Sequence, residues 1–198
     1  MRASLGSYNE APAEKSAGAF SYPHSGLEGG MTDLHDEYHF YWTGPFSQWQ
    51  PSRIEIDGAA FNCAEQAMMY LKAKLFKDDE IAAKILRAED PGKQKALGQK
   101  VAGFDNVTWD AHKREIVLRI NLAKFRQNKG LRRKLLQTGV KLLVEASPVD
   151  TIWGIGSDAA TAAVTPAEEW PGQNLLGKTL TKVKAELRLE FPDEIVAL

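Results

Sequence analysis

From residue 62 to residue 126 the apolar side chains return at every third or fourth position, and they do so in several blocks separated by clear breaks. This spacing is that of helices with one buried stripe. Only residues 140–146, Val-Lys-Leu-Leu-Val-Glu-Ala, read as a good strand. A chain built this way cannot form a sandwich or a large parallel sheet. The expected fold is α+β, a helix-dominated single domain with a small sheet.

The breaks locate the elements. Phe40-Tyr41-Trp42 is a short aromatic strand candidate, ended by Thr43-Gly44-Pro45. Arg53–Ile56 alternates, and Asp57-Gly58 turns it into Ala59-Ala60-Phe61. Asn62 followed by Glu65 reads as a capping box opening a helix over 63–76. Further helices are expected over 79–88, from Pro91 onward, over 109–126 with Thr108 as cap, over 131–137, and from Asn174 to about residue 189. Residues 1–37 lack apolar periodicity and are rich in Gly, Ser, Ala and Pro. They are expected to be a flexible tail ahead of a domain spanning 38–198. His35 and His39 are four apart, but no Cys or carboxylate frame surrounds them, and no metal is expected.

Composition closes off other classes. The 198 residues carry 25 Lys+Arg against 26 Asp+Glu, so a uniformly basic nucleic-acid coat is excluded. Cys63 is the single cysteine, which excludes an intramolecular disulfide and a multi-cysteine metal site. No run approaches the roughly 18 apolar residues of a membrane span, and no secretory signal is evident. A cytoplasmic monomer is expected, with a nuclear pool compatible with its size.

Few residues stand out chemically. Glu65 and Lys72 are seven apart and project from one helix face, about 10 Å apart at ~1.5 Å rise per residue. Glu65 reads either as a helix cap or as a carboxylate kept ionised by the helix dipole. Asp150 follows the strand in D-T-I-W-G-I-G, where the glycines permit a turn or close approach to a ligand. Trp109 opens a helix, where an indole can pack or stack on a base. Between residues 113 and 141 there are ten Lys or Arg and one acid, Glu115. This stretch reads either as solvated helix faces or as a surface for phosphates.

Taken together, several segments resemble the NADAR (YbiA-like) family. They are Phe46-Ser47-Gln48-Trp49-Gln50-Pro51, Asn62-Cys63-Ala64-Glu65-Gln66-Ala67-Met68-Met69 with Lys72-Ala73 and Phe76, Leu97-Gly98 to Phe104-Asp105 and Trp109, Ala123-Lys124-Phe125-Arg126-Gln127-Asn128, Thr138-Gly139, Leu143-Val144-Glu145-Ala146-Ser147, Asp150-Thr151-Ile152-Trp153-Gly154-Ile155-Gly156 and Asn174-Leu175-Leu176-Gly177. They cover residues 40–189 in the expected order. Gln66 stands where many members carry His, and Gln48 where they carry Asn; both keep hydrogen-bonding capacity.

The resemblance implies an N-glycosidase that cleaves the bond between a ribose anomeric carbon and a base amino group, without cofactor. By position it puts catalysis on Glu65, Asp150, Trp109 and Lys72. It puts substrate binding on Ser47, Gln48, Trp49, Asn62, Arg114, Glu145, Trp153, Gly154, Gly156 and Asn174. The expected substrate is ADP-ribose on guanine bases of DNA, which makes ADP-ribose or a ribosylated nucleobase, and DNA itself, the expected partners. The alternatives are phosphoribosylamino-pyrimidines of riboflavin biosynthesis, and a non-catalytic ADP-ribose reader.

Overall fold

The structure, a computed structural model, describes residues 37–196. The expected tail, with His24 and His35, lies outside the described residues apart from Glu37. The described elements are β1 (Tyr38–Tyr41), β2 (Ile54–Ile56), β3 (Ala59–Phe61), α1 (Ala64–Leu75), α2 (Asp79–Arg87), α3 (Pro91–Gly98), α4 (Asn106–Gln127), α5 (Lys129–Leu136), β4 (Leu142–Glu145), α6 (Ala159–Ala162), α7 (Leu175–Glu190) and α8 (Asp193–Val196). The α+β expectation holds. Its sheet content is two separate strand pairs, the β2–β3 hairpin and a parallel β1–β4 pair.

The parallel pair decides where the site falls. Tyr38 to Tyr41 register with Leu142 to Glu145, so both strands end on the same side of the molecule. The crossover between them contains β2, β3 and α1 to α5. Loops leaving the carboxyl ends of parallel strands converge, and such crevices are where ligands bind in open α/β sheets. Here those loops begin at Trp42 and at Ala146.

Helix α1 is the central helix. It packs against α2, α3 and α4, and its first two turns are buried nearly all round, from Ala64 to Met69. Its sequence is made of strong helix formers without Gly or Pro. Helix α7 lies on β4 and α4 through Leu176, Leu180, Val183 and Leu187, all fully buried. Each such side chain contributes about 1.5–3 kcal/mol of transfer free energy.

Several helix starts differ from expectation, each for a visible reason. Asn62 is not the N-cap of α1; Cys63 is, in extended conformation and with no side-chain cap bond. The reciprocal half of the capping box is supplied one position late. Gln66 Oε1 accepts the Asn62 N–H at 2.8 Å, which leaves Glu65 free of a capping role. Helix α4 is capped by Asp105, whose carboxylate accepts the Thr108 N–H at 2.7 Å, so Trp109 sits at the end of the first turn rather than at its start. Helix α5 begins at Lys129, two residues early, and β1 begins at Tyr38 and excludes Trp42. His39 lies on β1, with its ring edge on Phe46.

The basic stretch is not one cationic face. Lys113 pairs with Asp110, Arg119 with Asp57, Arg126 with Glu190 and Arg132 with Glu194, while Lys124 is fully buried. Asp110 is a local i, i+3 partner just outside the stretch, whereas Asp57, Glu190 and Glu194 come from distant sequence positions, which local counting could not anticipate.

Candidate active site

A cavity of about 850 Å³ opens beside the carboxyl ends of β1 and β4. Its wall from α1 is a single helical stripe of Glu65, Met68, Met69 and Lys72, at i, i+3, i+4 and i+7. Helix α3 adds Lys95 and Gln99, α4 adds Trp109, the loop after β1 adds Ser47, Gln48 and Trp49, and β4 with its following loop adds Glu145, Ser147, Asp150 and Trp153. All four residues assigned to catalysis by resemblance therefore share one cavity, together with Ser47, Gln48, Trp49, Glu145 and Trp153.

The remaining expected contacts fall elsewhere. Asn62 is turned away, donating to the Glu89 carbonyl at 2.8 Å and accepting from Gln94, beside a smaller depression. Arg114 is exposed on α4 and does not line the cavity, nor does any other basic residue of 113–141. Gly154, Gly156 and Asn174 act behind the wall. A Cβ on Gly154 would stand 2.9 Å from the carbonyl oxygens of both Asp150 and Glu145, so only glycine lets that loop fold onto the end of β4. The Gly156 N–H donates to the Asp150 carbonyl at 3.0 Å. Asn174, in the left-handed region at φ 52°, accepts the Glu145 N–H and donates to the Leu143 carbonyl, both at 3.0 Å. It thus extends the open edge of β4 and fixes the backbone that carries Glu145.

The site's electrostatics come from crowded acids. Glu65 is 4% exposed and its Oε1 has no hydrogen-bond partner among the described residues. Burial pushes its carboxyl up to about 7, Asp150 pushes the same way, and Lys95, the Trp49 side chain and Lys72 act against it. The expectation of an ionised Glu65 is therefore corrected: desolvation outweighs the helix dipole. Glu145 is also raised to about 7, by burial first and then by Asp150 and Glu65. Asp150 is oriented by an Asx turn in which Oδ1 accepts the Ile152 and Trp153 N–H groups, both at 2.8 Å.

Lys72 donates to the Gly98 carbonyl at 2.9 Å and lies 4.1 Å from the Phe104 ring centroid and 5.6 Å from that of Trp109. Burial lowers its pKa. That carbonyl is within reach because Gly98 has no side chain, since a Cβ there would stand 2.0 Å from Met69 Sδ. Gln48 is 8% exposed and neither atom of its amide has a partner among the described residues, so it is an unspent donor and acceptor at the cavity. Gln66 is fully occupied, donating to the carbonyls of Ile85, Leu86 and Ala88. Of the two departures from the family pattern, only Gln48 is placed to meet a ligand. Sequence reasoning missed Lys95 and Gln99 as cavity residues. Their i, i+4 spacing was the one available signal, and it is shared by most exposed helix pairs.

A carboxyl titrating near neutrality, two further carboxyls, a desolvated amine and indoles around one cavity define a site for proton transfer at a polar ligand with an aromatic part. The chain belongs to the NADAR domain family, whose match covers residues 38–188. Among its relatives, N-glycosidase R617 of Acanthamoeba polyphaga mimivirus is 46% identical over 146 residues, 71% of this chain and 86% of that protein. N-glycosidase Npun_R5314 of Nostoc punctiforme is 35% identical over 73% of this chain and 86% of its own length. The solved NMR structure of E. coli YbiA superposes with a TM-score of 0.65 at 24% identity, covering 80% of this chain and 89% of that one. It shares the fold.

Proposed function

We propose that this protein removes ADP-ribose from guanine bases of DNA by hydrolysing the bond between ribose C1′ and the base amino group. Its broader class, a hydrolase of N-glycosyl bonds, is that of its relatives named N-glycosidases. The observation that carries the reading is the convergence of Glu65, Asp150, Trp109 and Lys72, distant in the chain, on one cavity.

The chemistry follows from the groups. Cleaving C1′–N develops positive charge on the ribose, which a carboxylate beside the anomeric carbon stabilises. A carboxyl with a pKa near 7 exchanges protons efficiently at neutral pH, so Glu65 is assigned to protonating the leaving amine or activating water. Asp150, fixed by its Asx turn, is assigned to the sugar. Trp109 stacks on the base. Lys72 offers a second route. If the amino-linked sugar ring-opens to an imine, the Lys72 amine, once it has given up its proton, adds to C1′ and expels the base amine, and water then hydrolyses the new Schiff base.

A second reading has specific support. Riboflavin biosynthesis protein VVA0006 of Vibrio vulnificus is 30% identical over 81% of this chain, although the match spans only 39% of that longer protein. Phosphoribosylamino-pyrimidines present the same C1′–N bond. Incubation of the protein with a guanine-ADP-ribosylated oligonucleotide and, separately, with the aminopyrimidine ribotide decides between the two. Release of free ADP-ribose is the expected result. Turnover of the pyrimidine alone replaces the first reading with the second, and tight binding of the oligonucleotide without release marks a reader.

A further inference from the structure

Lys124 is fully buried, with 0% exposure, on the core face of α4 beside Phe125. Desolvation drives its pKa down to about 7, and the nearby Cys63 thiol acts in the opposite direction. No carboxylate pairs with it among the described residues. A buried amine with no counter-charge is unfavourable, and a methionine would fill the same volume without that cost. What the amine does instead is donate a hydrogen bond to the main-chain carbonyl of Ser47 at 2.8 Å, across 77 residues of chain. Packing alone does not call for that bond.

Ser47 begins the segment that bears on Glu65 twice. The Gln48 carbonyl accepts the Glu65 N–H at 3.0 Å, and the Trp49 side chain, on the same cavity wall, favours the ionised form of the Glu65 carboxyl. The segment follows a single 3-10 turn; within it the Trp49 N–H donates to Ser47 Oγ and the Gln50 N–H to the Ser47 carbonyl, both at 3.2 Å, and the Trp49 side chain is 47% exposed. We propose that Lys124 is a positioning residue for the Glu65 carboxyl, pinning the Ser47 carbonyl from the core and so holding Gln48 and Trp49 against the first turn of α1. Lys124 does not line the cavity, so it touches no substrate and acts through the loop. The inference rests on Glu65 serving in the reaction only as far as its kinetic consequence goes; the positional claim stands on its own.

The readout is the titration of Glu65. Its charged and titratable neighbours are Lys72 from α1, the Cys63 thiol at the cap of α1, Lys95 from α3, Asp150 from the loop after β4, and Glu145 from β4 itself. Of the groups that favour the ionised form, the Trp49 side chain is the one that depends on the Ser47 segment. Lys124→Met removes the pin while preserving volume. The Glu65 carboxyl, followed by 13C NMR of side-chain-labelled glutamate and assigned with Glu65→Gln, is expected to titrate above its wild-type position of about 7, together with a shift in tryptophan emission. Trp49→Phe is expected to raise the Glu65 titration by a similar amount, and the double variant by no more than either alone, because both break one chain of contacts.

In turnover, kcat of Lys124→Met is expected to fall about tenfold with KM little changed, since an interaction used on the reacting group rather than in binding has been loosened. A folded Lys124→Met with unaltered Glu65 titration overturns the proposal, as does full additivity with Trp49→Phe. If the methionine variant does not fold, Lys124→Gln, one atom too short to reach the Ser47 carbonyl, is held to the same criterion. The titration needs no substrate, so absence of glycosidase activity in the wild type would count against the proposed function and leave this inference to its own test.

Discussion

Glu65→Gln is expected to make the protein more stable at alkaline pH and inactive at every pH. The magnitude comes from burial. A glutamate ordinarily titrates at 4.5, and in the fold Glu65 titrates at about 7. That difference corresponds to about 3 kcal/mol at ~1.36 kcal/mol per pH unit. Because the folded state holds the proton more tightly, Glu65 is harmless to stability below pH 4.5, where both states are protonated. Between 4.5 and 7 the unfolded chain releases the proton and the folded one keeps it, so stability declines as pH rises. Above 7 the full cost of a buried carboxylate is present. Glutamine has the same shape and no charge to bury. The variant is therefore expected to exceed wild type by about 3 kcal/mol at pH 8, but by under about 1 kcal/mol at pH 5. For a chain of this size the difference at pH 8 is about 6–12 °C in Tm. Denaturant unfolding at the two pH values measures it directly. A stability difference equal at pH 5 and pH 8 would refute the reasoning, because a packing or hydrogen-bond change does not follow the Glu65 titration. Activity on the ribosylated base is expected to fall by about a hundredfold or more across the range.

Other outcomes test separate parts of the site. Asp150→Asn keeps an acceptor for the Ile152 and Trp153 N–H groups, so melting should change little while kcat drops at least about a hundredfold. Borohydride added during turnover is expected to trap a covalent adduct that disappears in Lys72→Ala; no adduct with the wild type leaves the direct hydrolytic route. Gly98→Ala forces a methyl onto Met69 Sδ, and a loss of about 1–3 kcal/mol in denaturant unfolding is expected, with Lys72 losing its carbonyl partner. Asn174→Ala removes two hydrogen bonds to the end of β4 and leaves alanine in a left-handed conformation. About 2–4 kcal/mol of stability should be lost in the same assay.

The helices were legible in the sequence because a buried stripe leaves a local period. Glu65 and Lys72 on one face of α1 followed from that period alone, and the structure adds Met68 and Met69 to the same stripe. The caps were less legible. The sequence points to Asn62 and Thr108, whereas the caps are Cys63 and Asp105, and the difference rests on contacts such as Gln66 reaching back to Asn62. The parallel pairing of β1 with β4 had no local signal, since the partners lie about a hundred residues apart, yet that pairing brings Trp49, Glu145 and Asp150 round the same cavity. The protonation of Glu65 was unreadable for a related reason. A first-turn glutamate on an exposed helix end would be stabilised as an anion, whereas here the Ser47 segment covers that end.

That covering segment also explains how three carboxyls coexist. Placed in water, Glu65, Glu145 and Asp150 would all ionise near pH 4 and repel one another. In the fold, burial raises Glu65 and Glu145, each with an oxygen unpartnered among the described residues, to about 7. The Asp150 carboxylate accepts two main-chain N–H bonds in the loop that Gly154 allows to fold onto β4. Pairs of titratable groups whose surroundings differ in this way divide acid from base work within one site. The division is made by main-chain donors and burial rather than by residue type. It follows that exchanging Asp150 for Glu should be as damaging to turnover as removing the carboxyl, because the longer side chain cannot close the turn onto its own Ile152 and Trp153 amides.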